Sequence, residues 1–230
     1  ALLSPPAEYA FADPSRRRDG TRVRDAEEFS PPLSALLLRI RRRMGLKLSP
    51  MLPDTVLEGL GGELEFISFR GECREALVWL GEDVGTGRSA VLIPGSEPLR
   101  TTVLRVSECP APAAAREPGE FLYDADPALV RAHALGGFPL LGLGDSPGYL
   151  TGGEVVSPWL RGYRVVTSGA FDPKRVRRLG RRIFEVKRRG VPDDADRAAR
   201  GLIGANEGPR ASLILYRTGR SVRFVLGEAL

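Results

Sequence analysis

The chain has 230 residues, 42% of them apolar and 27% charged, and a formal net charge of +5. This composition supports the core of one or two ordinary domains, and the lack of an apolar run of about 18 residues predicts a soluble protein without a membrane span. Two cysteines and one histidine exclude zinc sites built from several Cys and His ligands, and they argue against Cys/His catalysis.

The first residues carry no secretion signal. Ala1-Leu2-Leu3-Ser4-Pro5-Pro6 lacks a basic segment ahead of an apolar one, so we predict a cytoplasmic protein. The chain also lacks an initiator Met, and we therefore expect it to be part of a longer polypeptide.

The first predicted element is a buried strand over residues 9–12, which stops at Asp13-Pro14. Residues 15–29 are polar and charged, which predicts a loop. Ser30 then caps a helix with Pro in its first turn, and Gly45 ends it. The apolar residues that recur at helical spacing in this stretch are Leu33, Leu36, Leu37, Ile40 and Met44. A brief strand follows over residues 46–48.

The middle of the chain predicts a short helix over residues 54–60 and then a hairpin. Its strands lie within residues 64–80 and turn at Gly71-Glu72, and Trp79 is predicted to lie in the core. Two more strands are predicted over residues 89–93 and 101–106. The Pro/Ala-rich stretch that begins at Cys109 indicates an interdomain linker, which we place at residues 113–119.

The second half predicts another α/β unit. Its helices cover residues 126–135, 172–179 and 193–203, and its strands cover residues 161–167, 183–188, 211–216 and 221–226. Because helices alternate with strands, we expect a sheet covered by helices and assign the chain to the α/β class.

Positive charge is concentrated between Asp172 and Arg189, where nine basic residues stand against two acidic ones. The basic residues are Lys174, Arg175, Arg177, Arg178, Arg181, Arg182, Lys187, Arg188 and Arg189. Such a concentration attracts polyanions and gains from counterion release, so we predict contact with nucleic acid. The alternative is a solvated helix face next to a strand edge guarded by Lys. A second cluster, at residues 39–43, is interpreted as complementing the dipole at a helix C-terminus.

The sequence Asp13-Pro14-Ser15-Arg16-Arg17 follows the first predicted strand. In open α/β sheets, ligands bind outside the carboxyl ends of the strands. The Asp13 carboxylate at such an end can accept a hydrogen bond from a substrate amine or orient a charged cofactor group, and the arginines can hold an anionic substrate. The alternative is that Asp-Pro only starts a turn.

Several motifs along the chain occur together in one known family. In the first half they are Asp13-Pro14-Ser15-Arg16-Arg17, Asp19-Gly20-Thr21-Arg22, Phe29-Ser30-Pro31-Pro32-Leu33 and Leu46-Lys47-Leu48-Ser49-Pro50. In the second half they are Tyr149-Leu150-Thr151-Gly152, Ser157-Pro158-Trp159, Tyr163-Arg164-Val165, Phe171-Asp172 and Glu185-Val186-Lys187-Arg188-Arg189-Gly190-Val191. From about Tyr9 onward, the chain resembles the back half of a bacterial family of class I S-adenosylmethionine-dependent methyltransferases with a C-terminal THUMP-like domain.

The resemblance implies an α/β fold in which the back half of a Rossmann-like methyltransferase sheet precedes a smaller α+β THUMP-like domain. Residues 1–112 would be the C-terminal half of the methyltransferase domain, and residues 120–230 would be the THUMP-like, RNA-binding domain. Within the methyltransferase sheet, residues 9–12 correspond to the fourth strand, and residues 64–80 to the antiparallel sixth and seventh strands.

The resemblance also implies roles for the residues after the first strand. Asp13, Pro14 and Ser15 take the catalytic position beside the methyl donor, with Asp13 aimed at the acceptor. Arg16, Arg17 and Arg22 would contact substrate phosphates. Related enzymes carry Asp/Asn-Pro-Pro-aromatic here, and the departure at Ser15 and Arg16 leaves the acceptor atom open.

The cofactor implied by the resemblance is S-adenosylmethionine, and the implied substrate is RNA docked by the basic second domain. The glycine-rich cofactor loop belongs to the first half of the methyltransferase fold, and no strand–loop–helix segment for it precedes residue 9. We therefore expect this chain alone to be inactive and to need the N-terminal half of the methyltransferase domain as its partner. Two alternatives stay open: a non-catalytic nucleic-acid-binding module, and a methyltransferase that acts on a protein or small molecule.

Overall fold

The structure, a computed structural model, describes residues 8–18, 21–23, 25–39, 42–93 and 104–230. The chain divides into two compact units. The first unit comprises Ala1–Glu108 and Pro127–Ala134, and the second comprises Cys109–Asp126 and Leu135–Leu230. The polypeptide therefore leaves the first unit, returns to it for one short segment, and leaves it again.

The first unit is built on a six-stranded sheet in the order β1-β4-β6-β5-β7-β8, with β2 and β3 forming a separate small hairpin. Its strands are β1 Tyr9–Ala12, β2 Arg17–Arg18, β3 Thr21–Arg22, β4 Arg43–Leu48, β5 Glu63–Phe69, β6 Glu72–Gly81, β7 Gly87–Ile93 and β8 Leu104–Ser107. Its helices are α1 Leu33–Leu37, α2 Asp54–Glu58 and α3 Pro127–Arg131.

Strand direction changes in the middle of this sheet. β1 runs parallel to β4, whereas β6 is antiparallel to both of its neighbours, β4 and β5. β7 is again parallel to β5, and β8 is antiparallel to β7. The predicted hairpin over residues 64–80 is confirmed as β5 and β6. It turns at Arg70 (φ 54°) and Gly71 (φ 76°), a pair of positive φ values that matches the twist of the two strands.

Two predictions for the first 48 residues are wrong. The helix predicted to reach Gly45 ends at Leu37, and Met44 and Gly45 belong to β4. Met44 lies at helical spacing from Ile40, but it also alternates with Leu46 and Leu48, and in the sheet the alternation of period two prevails. Consequently α1 ends before Arg39, and Arg43 lies in β4, while Ile40 and Arg41 lie outside the described residues.

The strand at residues 9–12 is confirmed, but its predicted burial is not. Tyr9 and Phe11 are 60% and 63% exposed, because they project from the face of the sheet opposite its core. On that exposed face, Phe11 pairs across the strands with Gly45, and Gly45 with Trp79. A Cβ at Gly45 would lie 2.8 Å from a ring atom of each aromatic neighbour, so the glycine permits their close approach. Trp79, predicted to be in the core, is accordingly only half-buried.

The buried face of the same sheet carries the core of the first unit. Its fully buried side chains include Met44, Leu46, Leu48, Leu64, Phe66, Val78 and Leu80. Helix α3 packs against β5, β6 and β7.

A buried cation ties two helices to this face. The side chain of Arg88, on β7, is 4% exposed, and its two terminal nitrogens bind Asp54 at 2.9 Å and Glu58 at 2.5 Å, both on α2. It also donates to the main-chain oxygen of Arg131, on α3, at 2.9 Å, and one of its nitrogens lies 3.2 Å from Nε2 of His133. We call these five residues the Arg88 cluster. It joins α2 and α3 to β7 with the lone histidine in the network.

The Arg88 cluster makes the stability of the first unit depend on pH. Burial alone raises the pKa of Asp54, but the hydrogen bond from Arg88 and the charges of Arg131, Arg88 and His133 lower it below its ordinary value. A carboxyl whose pKa is lower in the folded state stabilises that state above its unfolded pKa, and the stabilisation is lost as the pH falls.

We therefore expect the free energy of unfolding to fall as the pH is lowered below about 4, and to fall less steeply in Asp54→Asn. Urea unfolding at neutral pH and at several acidic pH values measures this. Asp83→Asn is the control, since the Asp83 side chain is 83% exposed, and it should keep the parent's slope. An Asp54→Asn variant with the parent's pH slope would contradict the role of this carboxylate.

The second unit is built on an eight-stranded sheet in the order β14-β15-β16-β13-β10-β12-β11-β9. Its strands are β9 Ala114–Ala115, β10 Phe121–Ala125, β11 Leu141–Leu143, β12 Tyr149–Gly152, β13 Leu160–Ala170, β14 Arg182–Arg189, β15 Arg210–Thr218 and β16 Ser221–Ala229. Its helices are α4 Pro173–Arg178 and α5 Asp193–Arg200. Ala114–Ala115, within the predicted linker, pair with β11 as an edge strand.

Both faces of the second sheet carry core residues. One face packs under α4 and α5 with Val176, Ile183, Ala199, Leu202, Leu213, Leu215, Phe224 and Leu226. The other face carries Leu122, Leu143, Tyr149, Tyr163, Ile214, Tyr216 and Val225. Trp159 is also buried. The predicted helix at residues 172–179 is confirmed as α4, where the Asp172 side chain accepts from the amide of Lys174 at 2.9 Å.

Candidate functional site

The first candidate site is the carboxyl end of β1. Asp13 follows this strand, and its Oδ2 lies 2.8 Å from Nζ of Lys47 on the neighbouring parallel strand β4. Lys47 Nζ also lies 3.3 Å from Oε1 of Glu75 on β6. Within the described residues, the second oxygen of Asp13 has no hydrogen-bond partner, and the side chain is 55% exposed. The carboxylate is therefore held from one side and accessible from the other.

Lys47 is held in its charged form. The hydrogen bond to Asp13 raises its pKa, partial burial opposes this, and Glu75 raises it further. Lys47 thus stays a cation at neutral pH and fixes the direction of the Asp13 carboxylate.

The residues after Asp13 form the base of a closed loop. Pro14 is buried. The amide of Ser15 donates to the main-chain oxygen of Ser30 at 2.9 Å, and the amide of Ser30 donates back to that of Ser15 at 3.0 Å. The segment between them returns to its starting point beside Asp13, so the loop is anchored at both ends.

Arg16 is the predicted phosphate ligand whose side chain can be placed. It is partly buried, and its Nη1 is buried with no hydrogen-bond partner among the described residues. An unsatisfied buried donor costs about 1–3 kcal/mol, so an anionic group that reached this nitrogen would gain a hydrogen bond. Arg17 and Arg22 are paired through their backbones in the small hairpin, but their side chains lie outside the described residues.

Sequence reasoning missed the roles of Lys47 and Glu75. A signal for Lys47 exists, because a lysine between Leu46 and Leu48 on a strand must face away from the core. That it meets Asp13 depends on the register between β1 and β4, which sequence periodicity does not give.

The second candidate site is the basic segment of the second unit, and the structure divides it among several places. Lys187 and Arg189 each lie 2.9 Å from a carboxylate oxygen of Asp124 on β10. This contact requires a strongly curved sheet, since three strands separate β14 from β10 in sheet order. Arg188 projects from the opposite face to Asp193 at 2.8 Å. Arg181 lies 2.6 Å from Glu228.

The other five predicted basic residues make no ion pair with any described carboxylate. They are Lys174, Arg175, Arg177, Arg178 and Arg182. Arg175 lies over the ring of Phe224 at 5.6 Å. The nine residues thus do not form one continuous surface, and the cations without carboxylate partners are concentrated on α4.

The described parts of the chain contain neither a candidate membrane span nor a candidate metal centre. None of the helices there is long and apolar enough to cross a membrane. Those same residues contain no group of three or more His, Cys, Asp or Glu side chains placed to hold a metal ion.

Known proteins similar to the chain are methyltransferases by name. No protein-family model matches it. Two Mycobacterium tuberculosis proteins, from strains CDC 1551 and H37Rv, are both described as uncharacterized S-adenosylmethionine-dependent methyltransferases, and each is 32% identical to it over 215 residues. The chain is thus similar in sequence to two proteins that carry this description. The match covers 88% of this chain and 58% of each relative, so the chain spans less than two-thirds of their length.

A solved structure agrees at the level of the fold. The crystal structure of a candidate methyltransferase from Porphyromonas gingivalis W83 superposes with a TM-score of 0.65 and 19% identity. It covers 96% of this chain, and the chain covers 59% of it. The comparisons support the predicted methyltransferase family, and the two described sheets with their helices confirm the α/β class.

Proposed function

We propose that the chain is the C-terminal portion of a cytoplasmic S-adenosylmethionine-dependent methyltransferase that acts on RNA, with the basic second unit docking the substrate. The observation that carries this proposal is the Asp13 carboxylate at the carboxyl end of β1. This strand runs parallel to β4, and the next strand of the sheet, β6, is antiparallel to both of its neighbours. Ligands of open α/β sheets bind at such strand ends. The named relatives supply the reaction class.

The edge strand β1 of the first sheet supports the proposal that the N-terminal half of a methyltransferase domain is a partner of this chain. Among the described strands, β1 pairs only with β4, and its other edge can therefore accept a further strand. The exposed rings of Tyr9 and Phe11 lie on this same edge strand. A chain segment that adds strands beside β1 and packs a helix on this face would cover them and bury apolar surface.

The described residues would supply only the acceptor side of a site for a methyl donor. Asp13 offers a carboxylate at the right end of the sheet, but the described residues contain no glycine-rich loop between a strand and a helix to hold the amino-acid and ribose parts of S-adenosylmethionine. We therefore assign those parts of the cofactor to the N-terminal half. When bound, the cofactor supplies an electrophilic methyl group on a sulfonium.

Methyl transfer is an in-line displacement in which the acceptor's lone pair forms the new bond to carbon, the carbon–sulfur bond breaks, and the acceptor loses a proton. Positioning supplies most of the acceleration available to such a step. The accessible oxygen of Asp13 would accept a hydrogen bond from the acceptor's N–H or O–H and so direct its lone pair. Lys47 would hold the carboxylate in that direction.

The test is a transfer assay with the full-length parent protein and S-adenosylmethionine labelled in its methyl group. Total cellular RNA, total protein and a small-molecule extract are offered separately. We expect label in RNA, sensitive to ribonuclease, and none when this 230-residue chain is used alone. Label only in protein or small molecules would overturn the RNA substrate, and no label anywhere, together with no cofactor binding by calorimetry, would overturn the methyltransferase.

A further inference from the structure

A groove between α4 and α5 combines positive charge with a floor of small side chains. Its volume is about 310 Å³. The cations that line it are Lys174 and Arg177 from α4 and Arg197 from α5, and its floor includes Ala198, Gly201 and Leu202. Only two of the nine residues of the predicted basic segment line it, and Arg197 lies outside that segment.

The two helices hold the groove in a fixed shape. Lys174 and Arg177 are three residues apart and therefore share a face of α4, while Val176 on the other side is buried in the core. In the same way, Ala199 and Leu202 anchor α5 to that core and leave Arg197 exposed. Because both walls are packed on one sheet face, the three cations are presented without the cost of ordering a loop.

The charge of the groove is not neutralised internally. No described carboxylate forms an ion pair with Lys174, Arg177 or Arg197. Of the three acidic side chains of α5, Asp193 binds Arg188, Asp196 binds Arg200 and Arg188, and Asp194 accepts a hydrogen bond from the amide of Ala195. Three converging cations without counter-charges favour an anionic partner from outside the unit.

We propose that the α4–α5 groove binds the phosphodiester backbone of a single-stranded RNA segment, with phosphates paired to Lys174, Arg177 and Arg197. The inference rests on the RNA substrate of the proposed function and assigns it a surface. Repeated phosphates match a row of cations and release counterions on binding. The small floor residues Ala198 and Gly201 let a sugar–phosphate chain approach closely, whereas Leu202 of the lining is 5% exposed and so does not present an apolar side chain for insertion into a lipid layer.

The test compares two double variants of the 230-residue chain that lose the same charge. Arg177→Gln/Arg197→Gln alters the groove, and Arg116→Gln/Arg220→Gln removes two exposed arginines elsewhere in the second unit that also lack a described carboxylate partner. Binding of a 20-nucleotide single-stranded RNA of mixed sequence is measured by fluorescence anisotropy over a range of salt concentrations. A polyglutamate chain of equal charge is the second probe.

We expect the groove variant to bind RNA about tenfold more weakly, and the slope of log affinity against log salt to become shallower by about 1.4, or about 0.7 for each lost phosphate contact. The control variant should change both quantities far less. Equal effects of the two variants, or an unchanged groove variant, would overturn the assignment. Tighter binding of polyglutamate than of RNA, lost in the groove variant, would overturn RNA as the occupant.

This outcome is separable from that of the proposed function. If the parent protein methylates RNA but the groove and control variants bind RNA equally, the groove assignment fails and the methyltransferase stands. If the groove variant alone loses RNA binding but the parent shows no methyl transfer, the groove assignment stands and the methyltransferase proposal fails.

Discussion

Asp13→Ala in the full-length parent protein is expected, on the proposed function, to lower kcat for methyl transfer by about 100-fold, because misplacing the acceptor by a small distance has an effect of that size. The KM for S-adenosylmethionine should change little, since we assign the groups that hold the cofactor to the N-terminal half. Initial rates with labelled cofactor and RNA measure both constants. Asp13 is placed for this role by its 2.8 Å contact with Lys47 at the end of β1.

Lys47→Met tests the positioning of that carboxylate. We expect a smaller loss of kcat, about tenfold, with KM unchanged and with partial rescue in Lys47→Arg, which restores the cation. Glu82→Ala is the matched control for Asp13→Ala, because it also removes an exposed carboxylate that pairs with a cation. Glu82 lies 3.6 Å from Arg42 on the surface. An Asp13→Ala variant whose kcat stays within twofold of the control's would refute the assignment of Asp13 to the acceptor.

Arg88→Met is expected to destabilise the first unit by about 2–4 kcal/mol. Removing one partner from a buried ion pair costs about 3–5 kcal/mol, and the value here is somewhat lower because Asp54 and Glu58 keep partial access to water. The variant also leaves the main-chain oxygen of Arg131 without its donor. Helices α2 and α3 would lose their shared link to β7.

The measurement uses the two tryptophans of the chain, since Trp79 lies in the first unit and Trp159 in the second. With Trp159→Phe as the background, fluorescence reports unfolding of the first unit alone, and the midpoint should fall by about 8–16 °C. Arg74→Met is the control, because Arg74 forms an exposed pair with Glu72 at 2.9 Å and surface pairs contribute about 0–1 kcal/mol. Equal shifts of the unfolding midpoint in the two variants would show that the Arg88 cluster stabilises the first unit no more than an exposed ion pair does.

Local patterns in the sequence predicted much of this fold. The hairpin of β5 and β6, the closing hairpin of β15 and β16, and the capped start of α4 at Asp172-Pro173 each depend on neighbouring residues. The helix predicted through Met44 failed, because its apolar residues fit periods of both four and two. Pairing of β4 with β1 on one side and β6 on the other selects the strand, and with it the period of two.

The candidate sites were less predictable, since they depend on distant contacts. Asp13 could be identified from its place after a strand, but its partner Lys47 lies 34 residues away. Arg88 stood outside the predicted strand, and its partner Asp54 is also 34 residues distant. In β14, nearness in sequence was misleading, because alternation sends Arg188 to one face and Arg189 to the other.

The return of residues 127–134 to the first unit bears on how the protein is made. Helix α3 supplies the Arg131 oxygen to the Arg88 cluster, and His133 follows this helix, yet both residues are synthesised after the strand β10 of the second unit. On the ribosome, domains ordinarily fold in order of emergence. Here the earlier unit must wait for a helix that leaves the exit tunnel about 20 residues after the later unit has begun to appear. The apolar surface of β5, β6 and β7 that α3 covers therefore stays exposed during that interval.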